Sequence, residues 1–376
     1  MKPIQKILLI LFLLLLSSCI TPFIPQTKED KKILVVEGFI TDQPDTNIIK
    51  LSKTLPLGKR SLSDPVKGCI VTISDDLGNT FSFTETVPGT YVTDPLKFQG
   101  VIGRFYTLHI NTNAANNNLN YESYPMELKP VPPIDSVYYE KVTLNENNGI
   151  ITQEGCQVYL NTHDPTNQNK FYRWKYSETW KFILPYTVPN KTCWISSNSD
   201  IINIKNASLL EEDRINRYPL NFISNSTDRL RVEYSILVKQ YSLNEDEYLY
   251  WEKLQNITEQ VGGLYDIIPS SVPSNVYCLD DPNEKVLGYF SVSASTSKRL
   301  FIKVIFEGIF TQYTDKVCIN DTVFDGPIQS FDTFVWVIID HPLPPPSYKV
   351  TTRIQGCYDC TVRGTTIKPD FWDEGK

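Results

Sequence analysis

The chain has 376 residues, with 43 Asp and Glu against 36 Lys and Arg and a formal net charge of -7. Basic residues are scattered among acids rather than clustered, which excludes a phosphate-binding surface and sets nucleic acid aside as a partner. Tyr 21, Phe 18 and Trp 6 against Met 2 and Gly 17 favour strands over helices, because aromatic and β-branched side chains pack well on a pleated surface.

Residues 1–18 carry Lys2 and Lys6, no acid, and an unbroken apolar run from Ile7 to Leu16 that is too short to span a bilayer as a helix. This is the pattern of a secretory signal. It closes with Leu16-Ser17-Ser18-Cys19, which resembles a bacterial lipobox, so the mature chain is expected to begin at a lipidated Cys19. Acyl chains there would hold the protein on a membrane without a spanning helix. Residues 19–32, with Pro22, Pro25 and the charged run Lys28 to Lys32, read as the lipidated tether.

From 33 to 129 the text is short strands broken by turn chemistry: "ILVVEGFI", "IIKLSKT", "CIVTISDDLGNTFSFTE", "GTYVTD" and "RFYTLHI". The third is a hairpin signal around Asp75-Asp76-Leu77-Gly78-Asn79. The expected unit is an immunoglobulin-like or transthyretin-like β-sandwich. Residues 130–133, Pro130-Val131-Pro132-Pro133, cannot run as a helix and read as an interdomain linker. Residues 134–376 then read as a larger β-sandwich, with strands such as "DSVYYEKV", "NKFYRWKYSETWKF", "VLGYFSVSAST" and "TFVWVIID". The fold class expected is therefore all-β, two β-sandwich domains.

One helix interrupts the second unit near 242–261. Ser242 and Glu245 have capping-box spacing, and Tyr250, Leu254, Ile257 and Val261 recur at helical spacing until Gly262-Gly263. Its apolar stripe is expected to close one open side of the second sandwich.

Catalytic and metal signals are sparse. The three histidines are His109 in a strand, His163 in a turn and His341 in "DHPLPPP", and no hydrolase, zinc-protease or phosphate-loop motif surrounds them. Each reads as a structural residue. Cys357-x-x-Cys360 has no second ligand pair for zinc, and the acidic turns "SDDLGN" and "LDDPNEK" read as plain turns, so neither metal nor cofactor is expected. Alternation in "FYRWKYSETW" puts Tyr172, Trp174 and Tyr176 on one strand face, with Arg173 and Lys175 on the other. Exposed, the three rings are a candidate platform for a glycan or peptide; buried, they are core.

In an oxidising compartment the cysteines besides Cys19 are expected to form disulfides. A bond within Cys357-x-x-Cys360 would close a short loop and stabilise little. At least one of this pair is therefore expected to reach Cys193, Cys278 or Cys318, giving a cysteine-stapled C-terminal tail in which Phe371 and Trp372 dock into an apolar groove.

The lipobox followed by "CITPF", the strands "LVVEGFITD" and "IIKLSKT", the linker "PPIDSVYYE", the helix "NEDEYLYWEKLQNITEQVGGLYD", "VLGYFSVS" and the ending "CYDCTVRGTTIKPDFW" occur in this order. Together they resemble the domain of unknown function 4249 family of Bacteroidota outer-membrane lipoproteins. The resemblance implies a lipid-anchored outer-membrane protein, on its periplasmic or cell-surface face, of a family with no established enzymatic activity. It also implies a neighbouring TonB-dependent receptor as partner. The expected function is thus a non-enzymatic accessory of such a transporter. A stand-alone surface binder of glycan or peptide is the alternative, and a hydrolase with a convergent site the second. Cys278 departs from the family pattern.

Overall fold

The computed structural model describes residues 32–55, 64–113, 118–146, 151–184, 188–210, 212–259, 272–303, 318, 320–323, 336–340, 348–352 and 354–373. The signal at 1–18, Cys19, the tether up to residue 31, His341 and the Gly262-Gly263 stop lie outside the described residues.

The first ten strands are β1 (Leu34–Ile40), β2 (Ile48–Lys53), β3 (Asp64–Pro65), β4 (Ile70–Asp75), β5 (Thr80–Ser82), β6 (Thr84–Val87), β7 (Thr90–Val92), β8 (Phe105–Asn111), β9 (Asn120–Ser123) and β10 (Met126–Glu127). After them come β11 (Ile134–Glu146), β12 (Ile151–His163), β13 (Phe171–Ile183), β14 (Thr192–Asn198), β15 (Asn203–Asn206), β16 (Arg214–Ser224) and β17 (Glu233–Ser242). An α-helix (Glu245–Glu259) follows, then β18 (Val276–Cys278), β19 (Val286–Val292), β20 (Ser295–Lys303), β21 (Asn320–Val323), β22 (Trp336–Asp340) and β23 (Tyr348–Thr352). The fold is all-β, as the composition predicts.

Two six-stranded sheets build the first sandwich, one ordered β19-β1-β2-β7-β6 with β3 on β2, the other β18-β9-β8-β4-β5 with β10 on β8. Alternation decides which side chains go between them: Leu34, Val36 and Ile40 of β1 are buried, while Val35, Glu37 and Phe39 face out. The division at 130–133 needs correction here. β18 and β19, placed by sequence in the 134–376 unit, complete the first sandwich: β19 pairs in parallel with β1 from Leu34↔Val286 to Ile40↔Val292, and β18 pairs with β9. Parallel pairing demands a long crossover, and the second sandwich supplies it. Gly288 allows the close approach, since it has φ +85° and a Cβ there would lie 2.1 Å from the Val36 carbonyl oxygen.

The second sandwich packs β11-β12-β16 against β14-β13-β17-β20, with β15 on β13. The candidate platform lies inside it. Tyr172 and Trp174 are 0% exposed and Tyr176 8%, so the three rings fill the core and offer nothing for a glycan or peptide to stack on. Their polar atoms are partnered: Tyr172 donates to Asp213 Oδ2 at 2.7 Å, Tyr176 to Asn221 Oδ1 at 3.0 Å, and the Trp174 indole to Gln240 Oε1 at 2.8 Å. Gln240 in turn donates to the Pro132 carbonyl at 2.8 Å, which fastens the proline segment to this core.

Two expectations for the helix also change. Ser242 is the last residue of β17 and its hydroxyl is buried without a partner among the described residues, so no capping box forms; Tyr248 N–H instead reaches back to the Asn244 carbonyl. Nor does the helix lie over an open side of one sandwich. Tyr248 packs with Ile204, Tyr241 and Leu243 of the second unit, while the Tyr250 ring lies 4.7 Å from that of Tyr289 in the first. It is a wedge between the two.

The C-terminal tail is stapled twice, by Cys193–Cys360 and Cys318–Cys357, with Cα separations of 5.8 and 5.6 Å. Cys278, the third candidate partner, is a free thiol buried in the first core, because β18 carries it there. Trp372 is buried, its indole donating to Glu233 Oε2 at 2.9 Å and its ring meeting those of Trp194 and Phe301 edge-on. Phe371 lies under the Arg299 guanidinium, 3.6 Å from ring centre to carbon.

Candidate functional site

The outward faces of the two sandwiches meet at an angle around the helix and leave a cleft of about 500 Å3. Its floor is the outer face of β1, β2 and β19, contributing Glu37, Phe39, Ile48 and Lys50. The helix forms one wall with Tyr250, Trp251 and Leu254. Arg173 and Lys175, on the face of β13 that points away from the aromatic core, form the other.

Charge in this cleft is held unusually. Arg173 is only 8% exposed, and its guanidinium lies 3.3 Å from the centre of the Trp251 ring, flat against an aromatic face. Burial lowers its pKa to about 10, with Glu247 pulling the other way, so it stays protonated at neutral pH. Lys175 projects into the open space; the surrounding protein and then the Arg173 charge pull its pKa down to about 8, while the water that reaches it works against that shift. Among the described residues, Arg173, Lys175, Lys50 and Glu37 form no ion pair and no side-chain hydrogen bond, although Glu37 and Lys50 stand opposite each other in register. Glu247 sits fully buried behind them; burial pushes its carboxyl up, and Ser291, Arg173 and the Trp251 indole, 3.3 Å from Oε1, pull it down.

The histidines fall elsewhere. On the outer face of β4, β8 and β9, Ser74 Oγ lies 2.7 Å from His109 Nε2, and His109 Nδ1 lies 3.2 Å from Glu122 Oε2. Tyr277 donates to the other Glu122 oxygen at 3.1 Å. This row of hydroxyl, imidazole and carboxylate was invisible in sequence, since the register of three strands assembles it. His163 Nδ1 sits 2.7 Å from Asp135 Oδ2 beside a second hollow of about 360 Å3.

A family model described as a domain of unknown function, DUF4249, matches residues 20–299. The chain belongs to the DUF4249 family. The DUF4249 match takes in the first sandwich, the helix, all residues lining the cleft and the second sandwich as far as the middle of β20. The sheet β21-β23-β22 and the three cysteines Cys318, Cys357 and Cys360 fall beyond it. Among curated proteins none matches this DUF4249 chain.

Sequence reasoning missed the cleft because Arg173 and Lys175 read as the solvated side of a core strand. Alternation told which residues share a face but not that a second sandwich and a helix cover it. The signal that existed was the pair of cations flanking three core aromatics, which is also the signature of any half-exposed strand.

Proposed function

We propose that this DUF4249 chain is a non-enzymatic, lipid-anchored outer-membrane protein of the Bacteroidota that binds a small ligand in the cleft between its sandwiches. It acts there as an accessory partner of a TonB-dependent transporter. The observation that carries the binding role is the cleft itself, in which a buried guanidinium, two ammonium groups and a carboxylate stand without ion-pair partners. Of these only the guanidinium is taken out of water, which costs free energy that a ligand completing its contacts recovers, while Lys175, Lys50 and Glu37 stand exposed around it. The anchor rests on the lipobox-like residues ending at Cys19, and the transporter on the family resemblance.

The test is fatty-acid labelling followed by gentle detergent extraction and a pull-down. Label is expected on the wild type and absent from Cys19→Ala, and a transporter is expected to co-purify with the anchored form only. If the anchored protein comes down alone, the accessory role fails and a stand-alone binder replaces it.

The Ser74–His109–Glu122 row is the observation favouring a hydrolase. Acyl transfer also needs backbone donors aimed at the oxyanion; the Asp75 and Asp76 N–H groups go to the Asn79 and Phe105 carbonyls, and Ser74 itself, next to last in β4, is paired on one side with Thr80 and on the other with Thr107. Its amides are spent in those ladders. A Ser74→Ala variant is expected to leave hydrolysis of ester probes unchanged from wild type; a serine-dependent rate would reverse the order of the two readings.

A further inference from the structure

The cleft's chemistry narrows the ligand class, an inference that rests on the binding role above. We propose that the cleft receives the C-terminal end of a short peptide, with the free carboxylate on Arg173 and Lys175 and an apolar or aromatic terminal side chain between Tyr250, Leu254 and Phe39.

Three observations carry it. Stacking on Trp251 leaves the edge of the Arg173 guanidinium as its donor surface and fixes its plane. A planar fork of N–H groups is the natural partner of a planar, two-oxygen anion, which it binds with two parallel hydrogen bonds. Lys175 lies two residues along on the same strand face and can meet the same group. The balance of charge then selects the anion. Arg173, Lys175 and Lys50 outnumber Glu37 among the lining residues, so an anion is favoured, while Glu37 and the buried Glu247 oppose a doubly charged phosphate more than a single carboxylate.

The rest of the lining selects the body of the ligand. Phe39, Ile48, Tyr250, Leu254 and Tyr289 give an apolar surface, and a volume of about 500 Å3 lies within the ordinary range for small-ligand sites. An acidic glycan carries hydroxyls on every ring and needs a donor or acceptor for each once water is gone. Ser291 and the tyrosine hydroxyls are the few neutral polar groups lining this cleft, so a peptide with an apolar end suits it better than a uronic-acid oligosaccharide.

Calorimetry on the mature full-length chain tests this with short peptides ending in Leu or Phe, each as free acid and as C-terminal amide, and with a uronate oligosaccharide. Free acids are expected to bind and amides to bind at least about tenfold more weakly, the loss of one charge-assisted contact pair. Lys175→Gln, at a water-accessible position where folding is safe, is expected to weaken the acids about fivefold and leave the amides unchanged. Equal affinity for acid and amide overturns the proposal, as does binding of the uronate in place of the peptides. Should no probe bind, mass spectrometry of small molecules released from protein purified from native membranes separates the two levels. A released molecule lacking a carboxylate, absent from Lys175→Gln, overturns the peptide but keeps the binding role; nothing released overturns both.

Discussion

Asp164 is a single side chain that holds a turn together beside β12. Its Oδ1 accepts from the Thr166 N–H at 2.9 Å and hydroxyl at 2.6 Å, and its Oδ2 from the N–H groups of Gln168 and Asn169 at 3.0 and 2.9 Å. Burial works to raise its pKa, but the bonds from Thr166 and Asn169 outweigh it and hold the group at about 2. A carboxyl depressed by folding stabilises the native state above its unfolded pKa and loses that contribution as pH falls through the folded one. Asp164→Ala is therefore expected to cost about 2–3 kcal/mol at pH 7 by urea unfolding, the gap from wild type closing as pH drops from about 4 towards about 2. Lys175 gives the opposite dependence, in binding. It faces Arg173 on its own strand, Glu247 on the helix, and Glu37 and Lys50 on the first sandwich. As its ammonium loses its proton near pH 8, affinity for free-acid peptides is expected to fall between pH 7 and pH 9, and calorimetry on Lys175→Gln should show a flat profile. At this scale the sequence was partly legible. It narrowed the partners of Cys357 and Cys360 to three cysteines, two of which the structure uses, because loop length argues for distant bonds wherever the compartment is oxidising.

Among elements, the tail depends most on tertiary contacts. It contains only short turns of 3-10 helix, and what fixes it is attachment: Cys360 to Cys193, Arg363 to Asp228 at 2.6 Å, and a bridge between Thr365 and Trp194. Gly364 is needed for that bridge, since a Cβ there would lie 2.4 Å from the Trp194 carbonyl oxygen. The bond from Cys193 to Cys360 spans 167 residues, so Cys360→Ser is expected to lower stability by about 2–5 kcal/mol in thermal or denaturant unfolding and to open the tail to limited proteolysis. A variant as stable and as protease-resistant as wild type would mean that the Cys318–Cys357 bond, Trp372 and Arg363 hold the tail without it. The helix shows where reading by element fails. Its body was evident from the spacing of Tyr250, Leu254 and Ile257, yet its start was misplaced, because Ser242 belongs to the ladder of β17, opposite Tyr172, and a residue spent in a sheet cannot also cap a helix. Its partners were illegible for the reason that hid the cleft, namely that they come from a separate sandwich.

Over the whole molecule, the crossover decides what counts as a unit. β1 to β10 lack β18 and β19 until residue 292 has been made, and both strands contribute buried side chains, Val276, Phe290 and Val292 among them, to the first core. A fragment of residues 33–133, which the proline segment would suggest as a domain, leaves the β1 edge unpaired and that core open. It is expected to show no cooperative unfolding by circular dichroism, whereas residues 33–373 should show the two sandwiches melting together; an independently folded fragment would refute this. Sequence could not reveal the arrangement, because periodicity identifies "VLGYFSV" as a strand without naming a partner some 250 residues away in the chain. The same pairing has a mechanical meaning. β1 is the first strand among the described residues and is clamped on both sides, antiparallel by β2 and in parallel by β19. Tension applied through the N-terminus acts along the strand, so both ladders are loaded in shear and their hydrogen bonds must give way together rather than unzip in turn. A protein hung from a membrane by that end, and tugged by flow or by a partner, would feel the pull first at a strand held on both sides.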